Sequence, residues 1–247
     1  MNSLINKFYD ACKEGNIETV KKFLKNKQFD INKKNEYEHS GFHFACEYGH
    51  LAIIEFLIKD ARLEINSKDI SGNTGFHLAC KHGYLAIIDF LIKDARLKIN
   101  AGNMYGRTGF HLACMYSKVA IVKILLENAC LNLNIQDENG NTAFHYACLG
   151  GYVPLIEFLI KDARLNINIQ NKYMCTPFDT SCLYQDYEII LLFLNSLRLT
   201  QEILRKKNIN IDVVKRKISK NERLLFSAAD ANLSDLKNLL QIKKFKY

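Results

Sequence analysis

The sequence predicts an all-α solenoid, a stack of short helix–turn–helix units, and three observations carry this prediction. Five segments recur at a constant spacing of 34 residues: SGFHFAC (40–46), TGFHLAC (74–80), TGFHLAC (108–114), TAFHYAC (142–148) and TPFDTSC (176–182). A strict period of that size is typical of units that bury their apolar faces only by stacking on one another. The 247-residue chain has room for about seven units, and its 48% hydrophobic and 24% charged residues suit one soluble, continuous stack.

Within each unit the predicted order is turn, short helix, second helix and loop. In the unit 69–102, the tripeptide SGN (71–73) is a turn signal, and Thr74 is a residue type that caps helix N-termini. The apolar residues that follow fall at i, i+3 and i+4, which places them on one helix face. Gly83 is expected to end this helix, and the apolar run 85–92 to open the second.

These segments resemble the ankyrin repeat. The family pattern T-P-L-H-x-A corresponds here to TGFHLA and TAFHYA, and its first two positions to the start of TPFD. The resemblance implies an ankyrin-repeat solenoid, in which stacked helix pairs carry β-turn fingers. Tetratricopeptide repeats have the same period, but their Trp-containing signature is missing from this chain, which has no Trp.

The pattern also predicts the organisation of the chain. Residues 1–34 form an N-terminal capping ankyrin-like repeat, since they align in phase but lack the Thr and His that open the regular helices. Residues 35–170 form four regular repeats. Residues 171–204 form a degenerate repeat, because Asp179 replaces the His. Residues 205–247 form a basic C-terminal segment with a terminal helix pair.

One departure from the family concerns the first position of the first helix. The family has Pro there, whereas this chain has Gly41, Gly75 and Gly109. Pro presets the backbone angle of a helix start and Gly does not, so each Gly is expected to cost roughly 0.5–1 kcal/mol.

Histidine and cysteine recur in register, with the H-x-x-C spacing that could hold a metal. A zinc site needs four ligands at about 2.0–2.3 Å, whereas neighbouring helices lie roughly 8–10 Å apart. Recurrence in successive units instead favours packing, with each His bonded to the Thr hydroxyl and nearby backbone, as in the family, and each Cys in the core. We therefore expect no metal and no cofactor. The residues are His43, His77, His111, His145, Cys46, Cys80, Cys114, Cys148 and Cys182.

No catalytic motif is present, so we expect no enzyme. The recurring cysteines indicate buried, reduced thiols, and the N-terminal sequence lacks the apolar segment of a secretory signal peptide. No apolar run approaches the roughly 20 residues of a membrane span. These observations favour the cytoplasm, with the nucleus as the alternative and no insertion into membranes, and we expect a monomer.

Charge is concentrated near the C-terminus. Residues 198–247 hold 13 basic and five acidic side chains, so they account for the whole formal charge of +8. Two basic triplets, RKK (205–207) and KRK (215–217), could form a nuclear-import signal or a patch that binds nucleic acid or another anionic surface. The alternative is a solvated end cap, whose outward face must be polar.

The remaining candidate residues occupy positions that vary between units. The resemblance implies a concave face, made of turn tips and first helices, on which protein partners dock. The variable positions there hold six of the 12 tyrosines, and Tyr, Met and Arg are enriched in protein interfaces. We therefore predict a non-catalytic scaffold or adaptor that binds a protein partner through Tyr37, Tyr48, Ile70, Lys81, His82, Met104, Tyr105, Arg107, Met115, Tyr116, Tyr173 and Tyr184.

Overall fold

The computed structural model describes residues 2–183 and, further along the chain, residues 189, 192 and 193. The basic segment, its predicted helix pair and Tyr184 lie outside the described residues, and those predictions stay predictions. The described part contains 11 helices: α1 (Asn2–Glu14), α2 (Ile17–Lys25), α3 (Gly41–Tyr48), α4 (Leu51–Leu57), α5 (Gly75–His82), α6 (Leu85–Leu91), α7 (Gly109–Met115), α8 (Val119–Leu126), α9 (Ala143–Gly150), α10 (Val153–Leu159) and α11 (Pro177–Leu183).

The helices stack in two rows, which confirms the predicted solenoid. The first helices of the units, α1, α3, α5, α7, α9 and α11, contact one another in that order, and α2, α4, α6 and α8 form the second row. The apolar face predicted from the i, i+3, i+4 spacing is buried between the rows. One phenylalanine per unit is at most 2% exposed, and these residues are Phe8, Phe42, Phe76, Phe110, Phe144 and Phe178.

A finger precedes each first helix from α3 onward and is folded by one side chain. In the finger 69–73, Oδ1 of Asp69 accepts hydrogen bonds from the backbone N–H groups of Ser71 and Asn73, both at 2.8 Å. Gly72 then takes a left-handed φ of 74°, which glycine adopts without steric cost. Neighbouring fingers are joined by backbone bonds, such as that from the Met104 N–H to the Ser71 carbonyl at 3.0 Å.

The recurring histidine connects a finger, a helix and the next unit. Its bonds to the Thr hydroxyl and the adjoining backbone are those that the family resemblance implied. The N–H and hydroxyl of Thr74 lie 3.2 and 2.8 Å from Nδ1 of His77, and complete a capping box. Since Nδ1 accepts from the backbone N–H, the ring proton is on Nε2, which donates to the Arg107 carbonyl at 3.0 Å. Both ring nitrogens are thus engaged, at each of His43, His77, His111 and His145.

In the sixth unit Asp179 replaces this histidine but keeps its capping role. The N–H and hydroxyl of Thr176 donate to Oδ2 of Asp179 at 2.9 and 2.8 Å. An ionised carboxylate accepts hydrogen bonds but cannot donate one to a carbonyl. The substitution therefore preserves the helix start and removes the donor that the other units direct at the following finger.

A loop that follows the second helix adds a contact that the repeat pattern did not predict. Arg96 forms a two-pronged pair with Asp94, with nitrogen–oxygen distances of 3.0 and 2.7 Å, and donates to the Ile58 carbonyl of the preceding unit at 2.9 Å. Arg62 and Arg164 make equivalent contacts. In the fourth unit the exposed Cys130 occupies this position, so the loop there lacks the guanidinium link.

The glycines at the start of the first helices pack closely against the preceding unit, which adds a packing effect to the helix-propensity cost expected from the sequence. A Cβ on Gly75 would lie 2.7 Å from Sγ of Cys46 and 2.7 Å from the ring of Phe42, and both of these neighbours are buried. At Gly75 the phenylalanine and cysteine of the preceding unit lie where a Cβ would stand, whereas the sixth unit carries Pro177 at this position. In the fifth unit the same position holds Ala143, which is fully buried.

We expect Gly75→Ala to lower the free energy of unfolding by about 1–2 kcal/mol, because overpacking a rigid core outweighs the better helix propensity of Ala. The reverse exchange, Ala143→Gly, is the matched control and should also destabilise, by about 0.5–1 kcal/mol. Guanidinium denaturation followed by circular dichroism measures both. A more stable Gly75→Ala variant would contradict the packing explanation.

The buried histidines make stability depend on pH. Burial lowers the pKa of His43, His77 and His111 to about 4, against an ordinary value of 6.5. The unfolded chain therefore binds protons more readily than the fold, so these groups stabilise fully above pH 6.5 and this contribution is lost as the pH falls through 4.

We expect the free energy of unfolding to fall steeply from about pH 6.5 to pH 4. A histidine pKa that is one pH unit lower in the folded protein than in the unfolded chain contributes about 1.4 kcal/mol to that free energy. Denaturation curves at several pH values measure the slope. His111→Gln keeps a side chain that suits the capping box and removes one titrating group, so it should reduce the slope. An unchanged slope in this variant would show that other groups cause the pH dependence.

Candidate protein-binding face

The predicted site residues of the described chain lie at the finger tips and at the C-terminal ends of the first helices. Exposed fractions of the tyrosines range from 46% for Tyr116 to 65% for Tyr173. Lys81 and His82 are exposed at the end of α5, whereas Met115 is half-buried. We call the following set the tyrosine face: Tyr37, Tyr48, Ile70, Met104, Tyr105, Tyr116 and Tyr173.

Two contacts join finger residues to first helices. In the second unit, Nδ1 of the finger residue His39 lies 3.9 Å from a carboxylate oxygen of Glu47 near the end of α3. In the fourth unit, the guanidinium of Arg107 lies 5.4 Å from the ring centroid of Tyr105 and 5.1 Å from that of Tyr146 on α9. Finger residues therefore contact the first helix of their own unit, as His39 does, or that of the next unit, as Arg107 does.

Side chains also pair each finger with the next, and the chemistry of the pairs alternates. His39 contacts Asp69 at 3.2 Å and Arg107 contacts Asp137 at 3.4 Å, so these two junctions pair a basic group with a carboxylate. The junctions after the third and fifth units join two amides instead. They are Asn73 with Asn103, at 2.9 Å, and Asn141 with Asn171, at 2.8 Å.

The tyrosines follow the same alternation. Fingers that open with Asn carry Tyr two positions later, at Tyr37, Tyr105 and Tyr173, whereas the two that open with Asp carry Ser71 and Asn139. Surface chemistry therefore repeats every second unit, 68 residues apart, although the buried residues repeat in every unit. Packing within a unit requires only the shorter period, so the longer one belongs to the surface and to the junctions.

Arg107 is the predicted residue with the most contacts inside the protein. Its Nε donates to the Tyr146 hydroxyl at 3.2 Å and pairs with Asp137, whose side chain is 1% exposed. The Tyr146 hydroxyl donates to the same carboxylate at 2.5 Å. Burial, together with this bond to Asp137, raises the pKa of Tyr146. Arg107 thus stabilises a buried carboxylate, with a side chain that is 26% exposed.

The sequence reasoning missed Met174, which is 67% exposed at the tip of the sixth finger. It takes a left-handed φ of 60°, as does Glu38 at 58°, where the fingers between them have glycine. Non-glycine residues pay a steric cost in this conformation, and such strain clusters at functional positions. Met174 stands in the column of Gly72, Gly106 and Gly140, which is the signal that could have identified it.

Three features bear on the chemistry of the described residues: metal-binding clusters, reactive thiols and membrane-spanning helices. Within residues 2–183, no three His, Cys, Asp or Glu side chains are grouped so that they could bind a metal ion. Burial raises the pKa of Cys12 to about 12 and that of Cys46 and Cys80 well above the ordinary value, which disfavours the reactive thiolate. None of the described helices has the length and apolar character needed to cross a membrane.

The family model described as ankyrin repeats (3 copies) matches residues 8–103 and 96–171, more than half of the chain. The chain belongs to the ankyrin-repeat family. Ankyrin repeats are in general modules for protein–protein interaction and are typically not catalytic. No curated protein was found to be similar to this chain.

We expect Arg107→Ala to lower the free energy of unfolding by about 1–2 kcal/mol, because the buried Asp137 loses its cation but keeps its other hydrogen bonds. Tyr105→Ala, which removes an exposed neighbour, should stay within about 0.5 kcal/mol of the original protein. Thermal and guanidinium denaturation measure both variants. Equal stabilities of the two variants would contradict a stabilising role of Arg107 at the buried carboxylate of Asp137.

Proposed function

We propose that this ankyrin-repeat protein is a non-catalytic scaffold or adaptor that binds a protein partner through its tyrosine face, on the concave side of the stack. The observation that supports the proposal is the exposure of seven large apolar or aromatic side chains at the finger tips and the ends of the first helices. Core packing does not account for them, since the buried residues recur in every unit and these do not.

The centre of the face lies in the fourth unit, where Met104, Tyr105 and Tyr116 are each about half exposed. Aromatic residues near the centre of an interface contribute most of the binding energy, because partners bury them fully. The site is proposed to act in a cytoplasmic monomer.

Affinity capture from an extract of the source cells, followed by mass spectrometry, tests this proposal. The double variant Tyr105→Ala/Tyr116→Ala should lose one or more captured proteins, with affinity reduced about thirtyfold or more if these are hot spots. Leu85→Ala, which removes an exposed apolar side chain from α6 in the second row of helices, should capture the same proteins as the original. Circular dichroism checks that all variants keep their helices. Identical captures from the double variant would refute the assignment.

A second candidate function is binding of nucleic acid or another anionic surface through residues 198–247. Its support is the charge of this segment, 13 basic against five acidic residues. Partners held in this way should be released by moderate salt, since counterion release makes such binding strongly salt-dependent. Nucleic acid that stays bound at high salt, or whose binding survives removal of these basic side chains, would contradict this candidate.

A further inference from the structure

A cluster of basic side chains lies between two of the exposed tyrosines, and we call Lys81, His82 and Lys118 the basic patch. Lys81 and His82 end α5 in the third unit, and Lys118 precedes α8 in the fourth. The Lys118 side chain lies over Gly83, since a Cβ placed there would be 3.1 Å from its Cδ and 3.4 Å from its Nζ. This packing brings the ammonium group of one unit to the end of the helix of another.

The two lysines of the basic patch act electrostatically on its histidine. Burial lowers the pKa of His82, and the positive charges of Lys81 and Lys118 lower it further, against the opposing effect of Glu47. Among the residues that the structure describes, neither Lys81 nor Lys118 has a carboxylate within ion-pair distance. An anionic group bound at this helix end would be attracted by both ammonium groups.

The surroundings limit the size of that anionic group. On the side of the second unit lie the exposed Glu36, the exposed Glu38, which pairs with Lys34 at 3.4 Å, and the half-buried Glu47, whose charge also acts on His82. On the side of the fifth unit it carries the exposed Glu138. An extended polyanion such as nucleic acid would run from the patch into these carboxylates, and like charges in contact cost affinity. A short acidic stretch fits within the patch.

Apolar contacts are available on both sides of the patch. Tyr48 ends α3, one unit before it, and Tyr116 follows α7, one unit after the lysine and histidine. Stacked helices lie about 10 Å apart, so these tyrosines are separated by roughly 20 Å, which an extended chain covers in about six residues. The order along the face is therefore aromatic, cationic, aromatic.

We propose that the basic patch and its flanking tyrosines bind a short extended segment of a partner protein, with acidic residues at its centre and an apolar residue about three positions to either side. This inference rests on the proposed function and specifies the chemistry of the partner. The charge on the patch selects the acidic centre, and Tyr48 and Tyr116 hold the two ends.

Selection from a random displayed peptide library tests this proposal on the full chain. Selected sequences should be enriched in Asp or Glu, flanked by apolar residues on both sides. For a synthetic peptide of the selected sequence, Lys81→Ala/Lys118→Ala should reduce affinity about tenfold, measured by fluorescence anisotropy. The control Lys59→Ala/Lys98→Ala removes two exposed lysines from the loops after the second helices and should leave affinity within about twofold.

A charge-reversed variant tests whether the charge of the basic patch determines which peptides bind. Lys81→Glu/Lys118→Glu, once circular dichroism shows that it is folded, should lose the acidic peptides and select basic ones. The inference is overturned if no peptide is selected, if the selected peptides lack acidic residues, or if both alanine pairs act alike. An oligothymidine strand of matched charge that displaces the peptide with equal affinity would overturn it in favour of nucleic acid.

Failure of the inference and failure of the proposed function remain distinguishable. Peptides that depend on Tyr105 and Tyr116 but not on the basic patch would leave the tyrosine face as a binding surface and remove the acidic-segment specificity. Peptides that depend on neither set would contradict both proposals.

Discussion

The buried histidine at the start of each regular repeat is the interaction on which the rest of the structure depends. A single imidazole such as His77 accepts from the helix cap Thr74 through Nδ1 and donates through Nε2 to the carbonyl of Arg107 in the next finger. It thereby fixes the helix start, the angle of its own finger and the distance to the following unit. Burial disfavours the charged form of the ring. Protonation of Nδ1 would in addition set its N–H against the N–H of Thr74, which now donates to it. Where Asp179 replaces it, the cap remains, but the donor toward the next unit does not.

This regular scaffold leaves the surface free to vary, and the variation follows a longer period. Basic–carboxylate junctions, such as Arg107 with Asp137, alternate with amide junctions, and tyrosines alternate with small polar residues at the finger tips. Two successive units therefore form the surface repeat, although one unit is the packing repeat. A partner that spans several units would meet the same chemistry at every second one, with different side chains between.

The basic patch shows how stacking creates a site that no single repeat contains. Lys118 reaches over Gly83 because the left-handed glycine leaves an open surface at the end of α5. The same column places His50 beside Gly15 and Tyr84 beside Gly49, so each unit covers the helix end of the unit before it. The side chain in this column decides whether that helix end is cationic or aromatic, and it can change without disturbing the core. A scaffold of this kind acquires binding specificity through a few exposed columns.

The sequence by itself determined the fold class, the 34-residue period and the buried Phe and Cys columns, and the family resemblance indicated the capping role of the histidines. These properties depend on periodic burial within one unit, which the spacing of residues reports directly. The tertiary structure decided what a larger residue at Gly75 would contact, which loops Arg62 and Arg96 link to their predecessors, and which helix end Lys118 covers. Each of these contacts joins residues about one repeat apart in the chain, and the distance between them is set by how one unit rests on another. A linear pattern gives the period of that stacking but not its side-chain contacts, so the site between repeats became visible only in the folded molecule.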